Sequence, residues 1–329
     1  MAKMLTFDSF TLIPTYSDIE SRNEVDVSTD IFNIKSELPV INANMLSICS
    51  KDMIDVLYKN NTISSYHRFF NSKENRNNAI FDLKDYKDKL FISIGTKKEE
   101  YDYVADLYEA GYKNVIIDVN HGHHKMVGDI IKYIKDNFSD MTVMAGNVSS
   151  VDGILFLQDA GTDISKIGTA FGYVCTTIKQ SGFGCHPIDT AIKYNNFVQY
   201  SNYKKSTLCI DGGIKNVSDI AKSLIYADLV MLGNMFAGCN ESFGKKIITD
   251  KGLEYKEYFG NASIKTKQVV NDKNNIKYIE GTTKLVQTTG PLQNTLNSIK
   301  EGLQSSFSFI GARSIKEYQE KAKNQILMV

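Results

Sequence analysis

Short apolar runs recur along the chain, separated by segments in which apolar residues return every three or four positions. The runs lie at 38–43, 62–66, 90–95, 114–119, 141–146, 162–168, 207–213 and 227–233. They are rich in Val and Ile, and several end in Gly, Asp or Asn. Parallel strands buried on both faces read this way. The segments between them predict amphipathic helices. Residues 124–137 place Val127, Ile130, Ile131 and Ile134 on one face, and 98–110 do the same with Val104, Leu107 and Tyr108 before Gly111. Ser150 is placed to cap a helix carrying Val151, Ile154 and Leu155 that Gly161 stops, and 216–225 presents Val217, Ile220, Ala221 and Leu224. Strand ends often follow one another at about twenty to thirty residues, one strand–helix unit. Eight such units in series predict an α/β fold, a (β/α)8 TIM barrel, over an open sheet with two exposed edges.

Two stretches exceed this unit. Residues 168–186 predict a Gly- and Thr-rich loop after the sixth strand. Residues 239–290 follow the eighth strand and are too polar for core and too long for an ordinary connection, so they predict a lid over one single-domain barrel spanning 1–329. Helix resumes from about 291, with a further amphipathic piece at 314–323.

Composition narrows the function classes. Hydrophobic residues make up 42% of the chain, enough for a large core, while 38 basic and 38 acidic residues cancel, so no cationic surface invites nucleic acid. No apolar run approaches membrane-spanning length, and the first residues lack the apolar stretch of a secretory leader. The five cysteines are scattered and form no CxxC pair, which points to a reducing, cytoplasmic setting rather than a disulfide scaffold or zinc ribbon.

In a barrel, the loops after the strands converge on one mouth. Asp118, Asn147, Cys175, Asp211 and Gly233 all stand at or just beyond strand ends. Gly212 and Gly213 after the seventh strand, and Gly233 with Asn234 after the eighth, would let backbone amides approach a phosphate; Asp211 suits ribose hydroxyls. Cys175, in a Gly-flanked loop, is the candidate nucleophile for an electrophilic carbon, with Thr176 and Thr177 beside it. Cys49, Cys209 and Cys239 read as buried small residues. The 121-HGHH-124 cluster lacks a thiol or carboxylate at metal-site spacing and reads as solvated or supporting histidines. His67 and Arg68 read either as an anion contact or as a surface pair, and no GxGxxG supports a Rossmann nucleotide site.

Taken together, 7-FDSFTLIP-14, 38-LPVINANM-45, 115-VIIDVNHGH-123, 145-AGNV-148, 174-VCTT-177, 211-DGGIKNVSDIAKS-223 and 231-MLGNMFAG-238 resemble the barrel family of IMP dehydrogenases and GMP reductases over nearly the whole chain. The chain has no room for the cystathionine-synthase-type regulatory domains that most of the dehydrogenases insert. With 240-NESFG-244, 257-EYFGNAS-263 and 304-QSSFSFIGA-312, it looks most like the compact bacterial GMP reductases. The resemblance implies NADPH-dependent reductive deamination of GMP to IMP through a cysteine–purine thioimidate, in a cytoplasmic homotetramer. It assigns Cys175 as nucleophile, and Thr177 and Glu280 as the pair handling the proton on the departing amine. Asp118 and Asn147 match residues lining the purine and nicotinamide region, Asp211 the ribose aspartate, Gly213, Gly233 and Tyr258 phosphate contacts, and Gly260 a flap glycine that meets the base. Asp118, His67 and Arg68 are the expected cofactor-side residues. A monovalent cation, K+, is implied at the carbonyls of Ala170, Gly172 and Cys175.

The nucleophile loop departs from the family pattern. It reads 168-GTAFGY-173, with Ala170 for a glycine, Phe171 for the proline and Tyr173 for a residue that helps hold phosphate. The alternatives are NAD-dependent oxidation of IMP to XMP, reduction of a modified or deoxy purine nucleotide, and a nonenzymatic nucleotide-binding barrel.

Overall fold

The structure, a computed structural model, describes residues 3–270 and 279–329. Eight parallel strands form one sheet: β1 Val40–Asn42, β2 Ser64–Tyr66, β3 Leu90–Ile94, β4 Asn114–Asp118, β5 Thr142–Val148, β6 Ile164–Ile167, β7 Thr207–Asp211 and β8 Leu229–Leu232. Each matches one of the apolar runs. The sheet runs in the order β1-β8-β7-β6-β5-β4-β3-β2, so β8 pairs back onto β1. The remaining seam, between β1 and β2, is stitched by side chains: Ser65 donates its amide to Asn42 Oδ1 at 2.7 Å, and Asn42 Nδ2 donates to the Ser65 carbonyl at 2.9 Å. The result is the expected α/β (β/α)8 barrel.

Helices α1 Lys51–Lys59, α2 Lys73–Phe81, α3 Glu99–Glu109, α4 Lys125–Asn137, α5 Val151–Asp159, α6 Pro187–Gln199, α7 Val217–Leu224 and α8 Leu292–Ser308 ring it. α4 buries the four residues its periodicity singles out, Val127, Ile130, Ile131 and Ile134. Ser150 caps α5 by accepting from the Gly153 amide. Tyr108 is only half-buried; Tyr103 takes the third inward place on α3. A last helix, α9 Ile315–Ala322, leads to strand Ile326–Met328, which pairs antiparallel with Phe10–Leu12.

The polar stretch after β8 is an antiparallel sheet of β9 Lys246–Ile248, β10 Glu254–Phe259 and β11 Thr283–Gln287. This flap is tied to the β1–α1 loop: Ser47 Oγ donates to the Phe259 carbonyl at 2.7 Å, and Asn261 Oδ1 accepts from the Leu46 amide at 3.3 Å. Among the described residues, no helix is long and apolar enough to cross a membrane.

Candidate active site

A cavity of about 390 Å3 opens at the C-terminal ends of the strands, with Arg68, Asp118, Asn147, Lys166, Cys175, Asp211 and Glu280 among its lining residues. Its floor is electrostatic. Lys166, in the middle of β6, is 1% exposed and donates to Asp118 Oδ1 at 3.0 Å and Asp211 Oδ2 at 3.2 Å. A buried ammonium is tolerated because both carboxylates face it. Burial works against its charge, but Asp118 and then Asp211 outweigh that and hold the ammonium above the ordinary lysine range. Burial likewise opposes the Asp118 carboxylate, yet Lys166 and then Arg68 keep its carboxyl below the usual value. Asn147 completes the network, donating Nδ2 to Asp211 Oδ2 at 2.9 Å and to the Gly168 carbonyl at 2.7 Å. Asp211 Oδ1 is left without a protein donor among the described residues. The sequence reading missed Lys166. Its signal was a lysine inside a short strand flanked by Ile164 and Ile167, in 162-TDISKIG-168.

The loop carrying Cys175 packs across this floor because two backbones approach closely. Gly168 has φ +121°, and a β-carbon there would lie 2.2 Å from the Asp211 carbonyl oxygen. Ala170 follows with φ +72°, the left-handed backbone that favours glycine. The alanine therefore keeps the bend at a steric cost. Phe171 sets its ring edge-on to His186, centroids 4.9 Å apart. Gly172 accepts from the Cys175 amide at 3.0 Å. One carbonyl of the expected three-carbonyl cation site, with Ala170 and Cys175, is thus already engaged.

Cys175 is half-buried and lines the cavity. Its Sγ lies 3.1 Å from Thr177 Oγ1, and Thr177 Oγ1 donates to Glu280 Oε2 at 3.1 Å. With the single Thr177 proton directed at Glu280, the threonine oxygen is free to accept from the thiol. A thiol, a hydroxyl and a carboxyl therefore form one hydrogen-bonded run, bringing together Cys175, Thr177 and Glu280. The flap delivers Glu280 through backbone pairing: the Thr176 amide donates to the Glu280 carbonyl at 2.8 Å, and the Thr282 amide to the Val174 carbonyl at 2.9 Å. Asn120, two residues past the end of β4, also donates to Glu280 Oε2, at 2.9 Å. The other thiols differ: Cys49, Cys209 and Cys239 are buried, and burial pushes each thiol up.

Gly212 and Gly260 line the cavity, as does the buried Tyr258. Gly213, Gly233, Asn234 and Tyr173 stand outside that lining. Gly213 backs onto the His186 ring, where a β-carbon would sit 2.8 Å from Nε2. Tyr258 covers the turn at Gly233, its hydroxyl 2.5 Å from where a β-carbon there would be. Among the described residues, no backbone carbonyl accepts from the amides of Gly212, Gly213, Gly233 or Asn234. Tyr173, half exposed, stacks on Tyr258 with centroids 6.3 Å apart and carries the Lys284 ammonium 3.9 Å above its own ring.

On the opposite side, Arg68 lines the cavity with Phe69 and Val119, and its Nε donates to the Asp118 carbonyl at 3.2 Å. His67 does not join it. That expectation is corrected: His67 is 4% exposed, its Nδ1 accepts from the Phe69 amide, and burial holds it neutral with its pKa lowered to about 3. Its ring stacks on Tyr66 rather than facing a ligand. His121 and His123 are exposed, and no group of His, Cys, Asp and Glu suited to a metal ion occurs among the described residues.

Comparison with known proteins agrees with this geometry. The profile of the IMP dehydrogenase / GMP reductase domain matches residues 4–327. The chain is 35% identical to the GMP reductase of Oceanobacillus iheyensis over 96% of its own length and 93% of that protein's. It is 36% identical to the GMP reductase of Streptococcus equi subsp. equi over 94% and 91% of the two chains. For the GMP reductase of Staphylococcus carnosus the values are 34%, 95% and 93%. The chain belongs to the IMP dehydrogenase / GMP reductase family of oxidoreductases.

Proposed function

We propose that the protein is a GMP reductase that converts GMP to IMP and ammonia with NADPH. The observation that carries this reading is the hydrogen-bonded run from Cys175 through Thr177 to Glu280 inside the cavity. C2 of a guanine is a weak electrophile bearing a poor leaving group, so it needs a strong nucleophile and an acid together. The Cys175 sulfur bonds to C2. Glu280, when it carries its proton, hands it to the 2-amino nitrogen, which leaves as ammonia as the C2–N bond breaks. The thiol proton moves through Thr177 and restores Glu280. Atoms balance: one thiol proton becomes the third hydrogen of ammonia, and sulfur stays on carbon as the thioimidate.

Hydride at C2, with release of the Cys175 thiolate, is the chemistry a bound nicotinamide cofactor would supply. Arg68, Phe69 and Val119 would hold it, since two apolar side chains and a guanidinium beside the purine's place suit a nicotinamide ring and its charged tail. Asp211 Oδ1 would take ribose hydroxyls. The unpaired amides at Gly212, Gly213, Gly233 and Asn234 would grip phosphate once Tyr258 yields the turn at Gly233. Asp118 and Asn147 serve by fixing the floor through Lys166 and Asp211. The reading includes a homotetramer, which light scattering in solution tests.

The direct test mixes the purified protein with GMP and NADPH. Loss of absorbance at the reduced-nicotinamide band with stoichiometric ammonia and IMP is expected. Formation of XMP from IMP and NAD+, with no ammonia from GMP, would reverse the assignment to the dehydrogenase.

A further inference from the structure

Glu280 meets the barrel through two donors that converge on one oxygen. Thr177 Oγ1 and Asn120 Nδ2 both donate to Oε2, at 3.1 and 2.9 Å, and among the described residues no donor reaches Oε1. A carboxyl with equivalent oxygens can hold its proton on either one, and rotation exchanges them. While Thr177 and Asn120 both donate to Oε2, the acid proton sits on Oε1, and a proton relayed through Thr177 reaches Oε2 only as Oε1 gives up its own. Thr177 alone fixes this less firmly, because its hydroxyl also serves the Cys175 thiol and must turn as the thiol proton moves.

We infer that Asn120 is a positioning residue for Glu280, committing Oε2 to the barrel and presenting the protonated Oε1 to the departing amine. The inference rests on the proposed reductive deamination. Asn120 lines the same cavity, and its side chain is spent on Glu280. It stands on the β4 rim, 160 residues from the flap residue it holds. The same strand end thus sends Asp118 to Lys166 and Asn120 to the acid. Its side chain is exposed, so replacing it leaves the core untouched.

Single-turnover release of ammonia from GMP, without cofactor, isolates the step. Asn120→Ala should slow it about tenfold, the loss of one hydrogen bond to a charged or proton-donating group. Asn120→Asp, which offers Oε2 an acceptor instead of a donor, should slow it further. The GMP dissociation constant should stay within about twofold in both, since the hydrogen bond removed is one made to Glu280. In a Glu280→Gln background, Asn120→Ala should add no further loss. Equal slowing in that background, or weakened GMP binding with unchanged release, overturns the role. If the unaltered protein releases no ammonia from GMP, the deamination reading itself falls, and this role falls with it.

Discussion

The Lys166 ammonium lies 3.0 Å from Asp118 Oδ1, in a buried strand with no other charge. Removing one partner of a buried pair leaves the other charge uncompensated. Lys166→Met should therefore destabilise the protein by about 3–5 kcal/mol, read as a lowered midpoint in denaturant. The pH dependence has a definite sign. Asp118 is held below its unfolded value, so its contribution is present above about pH 4 and is lost as pH falls through the folded value. Lys166 is held above its unfolded value, so its contribution is present below about pH 10 and is lost as pH rises through the folded one. The gap between unaltered protein and variant should be flat between these limits and shrink in acid. A gap that grows on acidification would contradict the pairing.

Cys175→Ala should retain GMP binding, measured by calorimetry, and abolish both ammonia release and cofactor oxidation. Normal turnover in this variant would end the covalent mechanism.

Glu280→Gln keeps shape and a hydrogen-bonding group but cannot donate an acid proton. Ammonia release should fall about a hundredfold to ten-thousandfold, with thermal unfolding unchanged. Equal release rates would remove Glu280 from its role.

Ala170 bears a left-handed backbone at φ +72°. Ala170→Gly should raise stability by about 0.5–1 kcal/mol, the steric relief exceeding the added freedom of the unfolded chain. A lower melting temperature would show that the alanine methyl contributes more by contact than it costs in strain.

Tyr173 links the nucleophile loop to the flap through Tyr258 and Lys284. Tyr173→Ala should raise the KM for GMP several-fold, about the worth of one aromatic stack and one cation–π contact, with little change in kcat. A fall in kcat at constant KM would place Tyr173 in the chemistry instead.

The barrel was legible because burial on both faces leaves a plain mark: β3, Leu90–Ile94, is apolar but for Ser93 and wholly buried. Cys175 and Thr177 stood out in their own loop, but their grouping with Glu280 came only through resemblance, since Glu280 lies 103 residues from Thr177. Lys166 was missed because one charge inside an apolar run reads as noise until two carboxylates are seen to converge on it. Asn120 was missed because its partner arrives from the flap. The strands of the flap were hidden by their own polarity: β11 exposes four of its five residues. His67 was misjudged because a polar side chain after a strand looks like a ligand, whereas the Tyr66 and Phe70 rings enclose it.

The backbone pairing of residues 174–176 with 280–282 has a bearing on how substrate enters. Cys175 and Glu280 hang on two neighbouring threads of one short ladder, so any excursion of that hem carries both side chains together and keeps their spacing. Admission of a nucleotide then need not dismantle the reacting pair.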